Sequence, residues 1–197
     1  MINIKSLKRF YNVHKNEDLI LICNGPSLNN INFQIFNNQI IMGLNKIFLG
    51  FDKFNFYPRY YLATNKKVIK SSLAAINDLN CLKFTPTHSQ DILKNGPLNY
   101  FLNISKKENF SLDITKGVNE GYTVTYVGLQ LAYFMGFSKV VLIGLDHRYS
   151  FQGEPNQESF LKGDDPNHFD SSYFKNQSWD NPDLENSERY FKIANEV

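Results

Sequence analysis

The sequence predicts an α/β fold, a Rossmann-like, open and mostly parallel sheet with helices on both faces. Six short apolar runs lead to this prediction, at residues 19–23, 39–43, 59–63, 81–85, 98–103 and 139–144. Several of them are continuously apolar rather than alternating, as expected for strands buried on both faces. Segments with helical periodicity separate some of the runs, and such crossovers typically connect parallel strands.

Three segments are predicted to be helical. Residues 66–79 carry apolar side chains at the spacing of one amphipathic helix. Residues 123–135 are apolar around most of the circumference, so this helix should be largely buried, and Gly136 stands where a left-handed C-cap belongs. Residues 183–197 regain a helical pattern after a long polar stretch.

We expect a Rossmann-like domain over residues 1–150, followed by a lid-like loop and a C-terminal helix over residues 151–197. Residues 150–177 are rich in Gly, Pro, Asp, Asn and Ser. So long an irregular segment is typical of a binding loop, a lid or disorder. Because the last helical pattern reaches the final residue, the fold is expected to continue in a longer parent protein.

Composition and charge exclude several classes. The net charge is only +2, without a basic stripe, which argues against a nucleic-acid partner. No apolar run approaches the length of a membrane span, and residues 1–5 lack a signal-peptide core, so a cytoplasmic protein is expected. Cys23 and Cys81 are predicted to be buried thiols, and His14 and His88 surface residues. The oligomeric state is left open.

The first candidate motif is the turn Asn24-Gly25-Pro26-Ser27, which follows an apolar run. Such a turn can direct backbone N–H groups and a helix N-terminus toward an anion such as phosphate. Gly25 lacks the Cβ that would block close approach. The alternative interpretation is an ordinary turn, because the motif is neither a P-loop nor the Gly-x-Gly-x-x-Gly fingerprint.

Further polar residues follow other predicted strands. Asn24, Asn45 and Asn65 each end an apolar run, and in a parallel sheet such residues line one crevice, where amides can bind a base or ribose. Thr123 and Thr125 begin the buried helix, where they either cap it or hold a phosphate or ribose.

Candidate catalytic residues lie later in the chain. Gly144, Asp146 and His147 follow the last apolar run, which places them at the same sheet edge. Asp146 is a candidate ligand of a metal or of a sugar hydroxyl, and His147 is a candidate proton carrier. His168, in the polar segment, is a candidate general base or metal ligand, with a solvent-exposed loop histidine as the alternative.

These motifs together resemble the MptE-like superfamily, which includes archaeal 6-hydroxymethylpterin diphosphokinases, bacterial motility accessory factors and surface-polysaccharide proteins. The resemblance rests on the motifs at 24–28, 43–45, 121–124, 130–132, 136–137 and 142–146. A more distant similarity is to the bacterial family 42 sialyltransferases, which use a CMP-linked sugar. It implies that Asn24, Gly25, Ser27, Asn45 and Asn65 face a nucleotide, with Thr123 or Thr125 at its phosphate.

The sequence departs from these families at two positions. Cys23 stands where both prefer glycine, and Asn65 stands where a carboxylate would serve a magnesium-dependent diphosphokinase. The leading hypothesis is therefore a nucleotide-dependent glycosyltransferase of cell-surface polysaccharide biosynthesis, with a nucleotide-sugar donor and a saccharide or other small-molecule acceptor. An ATP-dependent diphosphokinase using a nucleoside triphosphate and Mg²⁺, with Asp146 as metal ligand, is the first alternative. A non-catalytic nucleotide-binding module is the second.

Overall fold

A computed structural model describes residues 7–94 and 96–197. Residues 1–5, on which the prediction of no signal peptide rests, lie outside the described residues. Six strands form one parallel sheet in the order β5-β4-β3-β2-β1-β6. The strands are β1 (Asp18–Ile22), β2 (Ile40–Leu44), β3 (Tyr60–Leu62), β4 (Leu82–Pro86), β5 (Asn99–Leu102) and β6 (Lys139–Ile143). Each predicted run overlaps one of them, which confirms the Rossmann-like α/β fold.

Strand β1, which lies between β2 and β6, is apolar on both faces because both faces are covered. Leu19 and Leu21 belong to the hydrophobic cluster on the side of the long buried helix. Ile20 and Ile22 belong to the cluster on the opposite side. A run of consecutive apolar residues is therefore what this position in the sheet requires.

The α-helices of the described residues are α1 (Phe51–Phe54), α2 (Lys66–Ser71), α3 (Leu73–Asp78), α4 (Val124–Met135) and α5 (Leu184–Asn195). Helix α4 confirms its prediction: Thr123 is the N-cap residue, and Gly136 ends the helix at φ 83°. Within the described ranges, no helix combines the length and apolar character needed to cross a bilayer.

The single helix predicted over residues 66–79 is wrong, because Ser72 divides it into α2 and α3. Ser72 has φ −123° and ψ 18°, outside the helical region. The neighbouring Ser71 hydroxyl donates a hydrogen bond to the carbonyl oxygen of Val68 at 3.2 Å. Serine side chains compete in this way for the backbone groups that a continuous helix needs.

The segment expected to be irregular contains an antiparallel hairpin. Strand β7 (Glu158–Leu161) pairs with β8 (Gln177–Asp180). The loop between them is packed rather than open, since Phe169, Tyr173 and Phe174 are buried in the cluster that covers the sheet opposite α4. Aromatic side chains therefore pack this segment against the sheet.

The prediction of a surface position for His14 is wrong. His14 is 2% exposed, its ring stacks on Phe137 at 4.4 Å, and its nitrogens contact Tyr60 Oη at 2.6 Å and Glu17 Oε2 at 2.7 Å. Because both nitrogens have partners, the ring can be buried where the N-terminal segment crosses the end of α4. The surface position predicted for His88 is confirmed, since this residue is exposed. Both cysteines are free thiols, but only Cys23 is buried as predicted, whereas Cys81 is half-buried.

Candidate functional site

A cavity of about 520 Å³ lies at the carboxyl ends of β1, β2, β3 and β6. The chain proceeds outward from β1 to β5 and returns through α4 to β6 on the other side of β1, so the strand order reverses beside β1. Ligands of open α/β sheets bind at such a reversal. The structure brings most predicted site residues to this cavity: Asn24, Gly25, Asn45, Asn65, Thr123, Thr125, Gly144, Asp146, His147 and His168.

Pro26 and Ser27 line a neighbouring pocket instead. The expectation that their turn binds a phosphate is wrong, because a side chain of the protein already binds Ser27. The Ser27 backbone N–H donates to Asp146 Oδ2 at 2.8 Å, and the Ser27 hydroxyl donates to Asp146 Oδ1. The Gly25 N–H donates to the carbonyl oxygen of Gly144 at 2.8 Å. The carboxylate of the protein itself thus occupies the place where an anionic ligand was expected.

Two glycines allow this turn and the segment after β6 to pack together. A Cβ on Gly25 would lie 2.6 Å from Asp146 Oδ2 and 2.7 Å from the Gly144 carbonyl oxygen. A Cβ on Gly144, which has φ +67°, would lie 2.5 Å from Leu28 Cδ2. Each glycine therefore makes room for a residue of the other motif, which explains why glycine stands at both positions.

The three asparagines are not equivalent. Asn24 is 8% exposed and donates through Nδ2 to the carbonyl oxygen of Leu44 at 3.0 Å, while its Oδ1 has no partner among the residues that the structure describes. Asn45 Oδ1 is also buried without a partner in this part of the chain. Unsatisfied buried acceptors are costly, so these two oxygens favour a ligand that presents hydrogen-bond donors.

Asn65 does not fit its predicted role of binding a nucleotide with both amide atoms. Its Oδ1 accepts hydrogen bonds from the N–H groups of Lys67 and Val68, which caps helix α2. Asparagine is a preferred capping residue because its side-chain oxygen satisfies N–H groups that the helix leaves free. Only its amide nitrogen is left for a ligand.

The hydroxyl groups at the start of α4 also have protein partners, contrary to the expectation of phosphate binding. Thr123 Oγ1 accepts from the N–H of Thr125 at 3.3 Å, and Thr125 Oγ1 lies 3.5 Å from Cys23 Sγ. Burial raises the pKa of the Cys23 thiol to about 12, so it remains protonated beneath the cavity. Thr123 is thus the helix cap, the alternative considered for it.

His168 is the best-positioned candidate base, because Asp165 and Tyr173 hold its ring. Its side chain is only 8% exposed, so the alternative of a solvent-exposed loop histidine does not apply. Its Nδ1 lies 2.8 Å from Asp165 Oδ2. The ring stacks on that of Tyr173, with 3.8 Å between the ring centres and 3° between the ring planes. With Nδ1–H donating to the carboxylate, Nε2 is the nitrogen left to take a proton from a ligand in the cavity.

The environment of Asp165 keeps this carboxyl ionised. Burial alone would raise its pKa, but the hydrogen bond and charge of His168, with N–H groups of Asn167 and Phe174, lower the pKa below its usual value. An ionised, buried carboxylate beside Nδ1 orients a histidine and stabilises its protonated form.

His147 and Asp146 fit their predicted roles less well. His147 Nε2 lies 3.5 Å from Glu188 Oε2 on helix α5, so this imidazole faces the edge of the cavity. Both carboxylate oxygens of Asp146 accept hydrogen bonds from Ser27. Within the described ranges, no group of three His, Cys, Asp or Glu side chains is placed to hold a metal ion. The residues of the cavity therefore do not fit a magnesium site.

Sequence reasoning missed four residues in and around the site. Asp165 stands three positions before His168, and this spacing was the available signal. Tyr173 and Lys46 gave no sequence signal, because these two residues are 127 positions apart in the chain. The Lys46 N–H donates to Tyr173 Oη, and Lys46 Nζ donates to the Tyr173 carbonyl oxygen at 2.6 Å. Arg148, also missed, lines the cavity with an exposed side chain.

Comparisons with known proteins agree with the fold. The family model described as 6-hydroxymethylpterin diphosphokinase MptE-like matches residues 1–152. The solved structure of the MAf glycosyltransferase from Magnetospirillum magneticum AMB-1 is similar, with a TM-score of 0.59 and 12% identity. The match covers 100% of this chain and 35% of that chain, and at this identity it shows the fold alone. A search of curated proteins found no match. Because the family model covers residues 1–152 of 197, the chain belongs to the MptE-like family.

Proposed function

We propose that this protein is a nucleotide-dependent glycosyltransferase that moves a sugar from a nucleotide-sugar donor to a saccharide hydroxyl. The observation that carries the proposal is the Asp165–His168 pair at the cavity above β1 and β2. The glycosyltransferase named in the structural comparison shares the fold, which supports transfer of a sugar. A saccharide acceptor is what the resemblance of the sequence motifs to those of surface-polysaccharide proteins implies.

Donor binding is assigned to the two unsatisfied amide oxygens and to one cation. Asn24 and Asn45 accept hydrogen bonds from base or ribose donors, which satisfies atoms that the protein leaves without partners. Arg148, exposed at the cavity wall, pairs with the phosphate that the turn at Ser27 does not bind. The other cavity cation, Lys67, is already paired with Asp180 at 2.6 Å and Glu158 at 3.1 Å.

In the transfer step, the acceptor oxygen bonds to the anomeric carbon while the bond from that carbon to the phosphate oxygen breaks. The nucleoside phosphate leaves with the electron pair, and His168 Nε2 takes the proton of the acceptor hydroxyl. Asp165 orients the imidazole and stabilises its positive charge. Most of the rate enhancement comes from positioning the two substrates and from stabilising charge.

A thermal-shift panel distinguishes the proposal from its alternatives. A ligand that binds only the folded state raises the apparent stability, so CMP or another nucleoside monophosphate should raise the melting temperature without metal. Stabilisation by ATP only with Mg²⁺ would instead support the diphosphokinase that the family description names. No shift with any nucleotide would support a non-catalytic module.

Variants test the assigned roles. Asn24→Ala and Asn45→Ala should each weaken CMP binding by about tenfold, measured by calorimetry, since each removes one acceptor. Asn30→Ala, at an exposed position, is the matched control. Unchanged affinity in both cavity variants would contradict the donor assignment.

His168→Ala should lower turnover by about 10²- to 10⁴-fold, the contribution of a positioned base, while donor affinity stays unchanged. The exposed His88 provides the control variant His88→Ala. Full activity of His168→Ala would remove this histidine from the mechanism.

A further inference from the structure

The turn that follows β1 is held from one side by Asp146. One carboxylate accepts two hydrogen bonds from the same residue, Ser27, one from its backbone N–H and one from its hydroxyl. Hydrogen bonds to a charged acceptor are stronger and more directional than neutral ones. The two contacts join residues 119 positions apart and fix the orientation of the turn relative to β6.

The same turn holds the loop that carries His168. The Phe169 N–H donates to the carbonyl oxygen of Asn24 at 2.9 Å, and Asn29 Nδ2 donates to the Phe169 carbonyl oxygen at 3.0 Å. Both backbone polar groups of the residue next to His168 are therefore bound by residues that flank Ser27. A tilt of the turn would carry the backbone of Phe169 with it.

The ring of His168 is fixed separately, by Asp165 and Tyr173. These contacts set the direction of the imidazole within its loop, whereas the turn sets where the loop lies above the sheet. A displacement of about 1 Å in a reacting group can cost about 10²-fold in rate. The position of Nε2 in the cavity thus depends on the turn as well as on Asp165.

We infer that Asp146 is a positioning residue, which holds His168 over the cavity by bracing residues 24–29 through Ser27. This inference rests on the proposed function for its effect on turnover, but its structural part does not. It assigns the acidic residue after β6 to the protein's own turn and not to a metal ion or a sugar.

The test uses two test variants, one control variant and one conservative variant. Asp146→Asn removes the charge that binds Ser27, and Ser27→Ala removes only the hydroxyl contact, which keeps the test valid if the first variant does not fold. Asp164→Asn removes a carboxylate from the same loop as His168, where its partner is Lys175. Ser27→Thr, which keeps both donors, is the conservative variant.

The first readout is NMR spectroscopy of the free protein. Ser27→Ala and Asp146→Asn should shift the Phe169 amide resonance and the ring resonances of His168, while Asp164→Asn and Ser27→Thr should leave them close to wild type. Unchanged Phe169 and His168 resonances in both test variants would overturn the inference. Because no substrate is present, this outcome does not depend on the proposed function.

The second readout is turnover of a nucleotide-sugar. Ser27→Ala should lower kcat by about tenfold or more, with the donor KM within about twofold of wild type, and Ser27→Thr should restore it. Inactivity of the wild-type protein with every donor would count against the proposed function and leave the NMR result to decide the inference. Paramagnetic broadening of the Leu145 and His147 backbone resonances by Mn²⁺ in the wild type, lost in Asp146→Asn, would overturn the inference in favour of a metal ligand at position 146.

Discussion

Replacing Lys46 with methionine tests how the fold holds a buried charge. Lys46 is 4% exposed, and its Nζ donates to the Tyr173 carbonyl oxygen at 2.6 Å and to Gln177 Oε1 at 2.9 Å. The amine also lies 4.7 Å from the centre of the Phe174 ring. Burial lowers its pKa from 10.5 to about 8, although the negative charge of Asp165 opposes this effect.

The size and sign of the effect follow from these two pKa values. A difference of one pKa unit corresponds to about 1.4 kcal/mol, so the charged Lys46 costs the folded state about 3 kcal/mol below pH 8. Between pH 8 and pH 10.5 the unfolded chain binds more protons than the folded one, so stability rises with pH in this window. Methionine carries no charge and removes this contribution.

Urea unfolding near pH 7 and pH 10 measures the effect. Trp179, the only tryptophan, is buried with its ring 5.7 Å from that of Phe174, so its fluorescence reports on this region. The difference in unfolding free energy between wild type and Lys46→Met should change by about 2–3 kcal/mol in favour of the wild type as the pH rises. Contributions from other titrating groups cancel, because both proteins contain them.

Lys70→Met, at an exposed position of α2, is the control for the loss of a lysine. The unsatisfied carbonyl oxygen of Tyr173 in the variant adds a cost that does not depend on pH, and so it does not affect the comparison. An equal difference at both pH values would refute the reasoning, since it would mean that Lys46 does not titrate within the window.

Two further predictions concern stability and are checked by urea unfolding. Gly144→Ala should lower the unfolding free energy by about 1–3 kcal/mol, because alanine would be strained at φ +67° and its Cβ would lie 2.5 Å from Leu28. Gly96→Ala, where no atom lies within 4 Å of the new Cβ, should leave the unfolding free energy nearly unchanged. Equal losses of unfolding free energy in the two variants would contradict the packing argument. Gln130→Leu should cost about 2–4 kcal/mol, because the buried Gln130 Oε1 accepts from the N–H groups of Ser111 and Asn119. Unchanged hydrogen exchange of the Ser111 and Asn119 amides in Gln130→Leu would contradict this prediction.

The strands and the buried helix could be predicted because their signals are local. A continuous apolar run such as 19–23 indicates a strand covered on both faces, and Thr123 and Gly136 mark the ends of α4 through their own capping geometry. The division of the helix at Ser72 could not be predicted from periodicity, because the apolar spacing continues across it. Aromatic packing likewise decided the fold of residues 158–180, whose polar composition resembles that of an open loop.

By itself, the sequence determined the order of the strands along the chain and the convergence of Asn24, Asn45 and Asp146 at one edge of the sheet. Hydrophobic periodicity and turn residues act over a few positions, which is why a sequence reveals them. Only the tertiary structure decided which polar groups satisfy one another: Asp146 binds Ser27 instead of a ligand, and His168 is buried against Asp165 and Tyr173. Such pairings join residues that folding brings together from distant positions, so no local pattern specifies them.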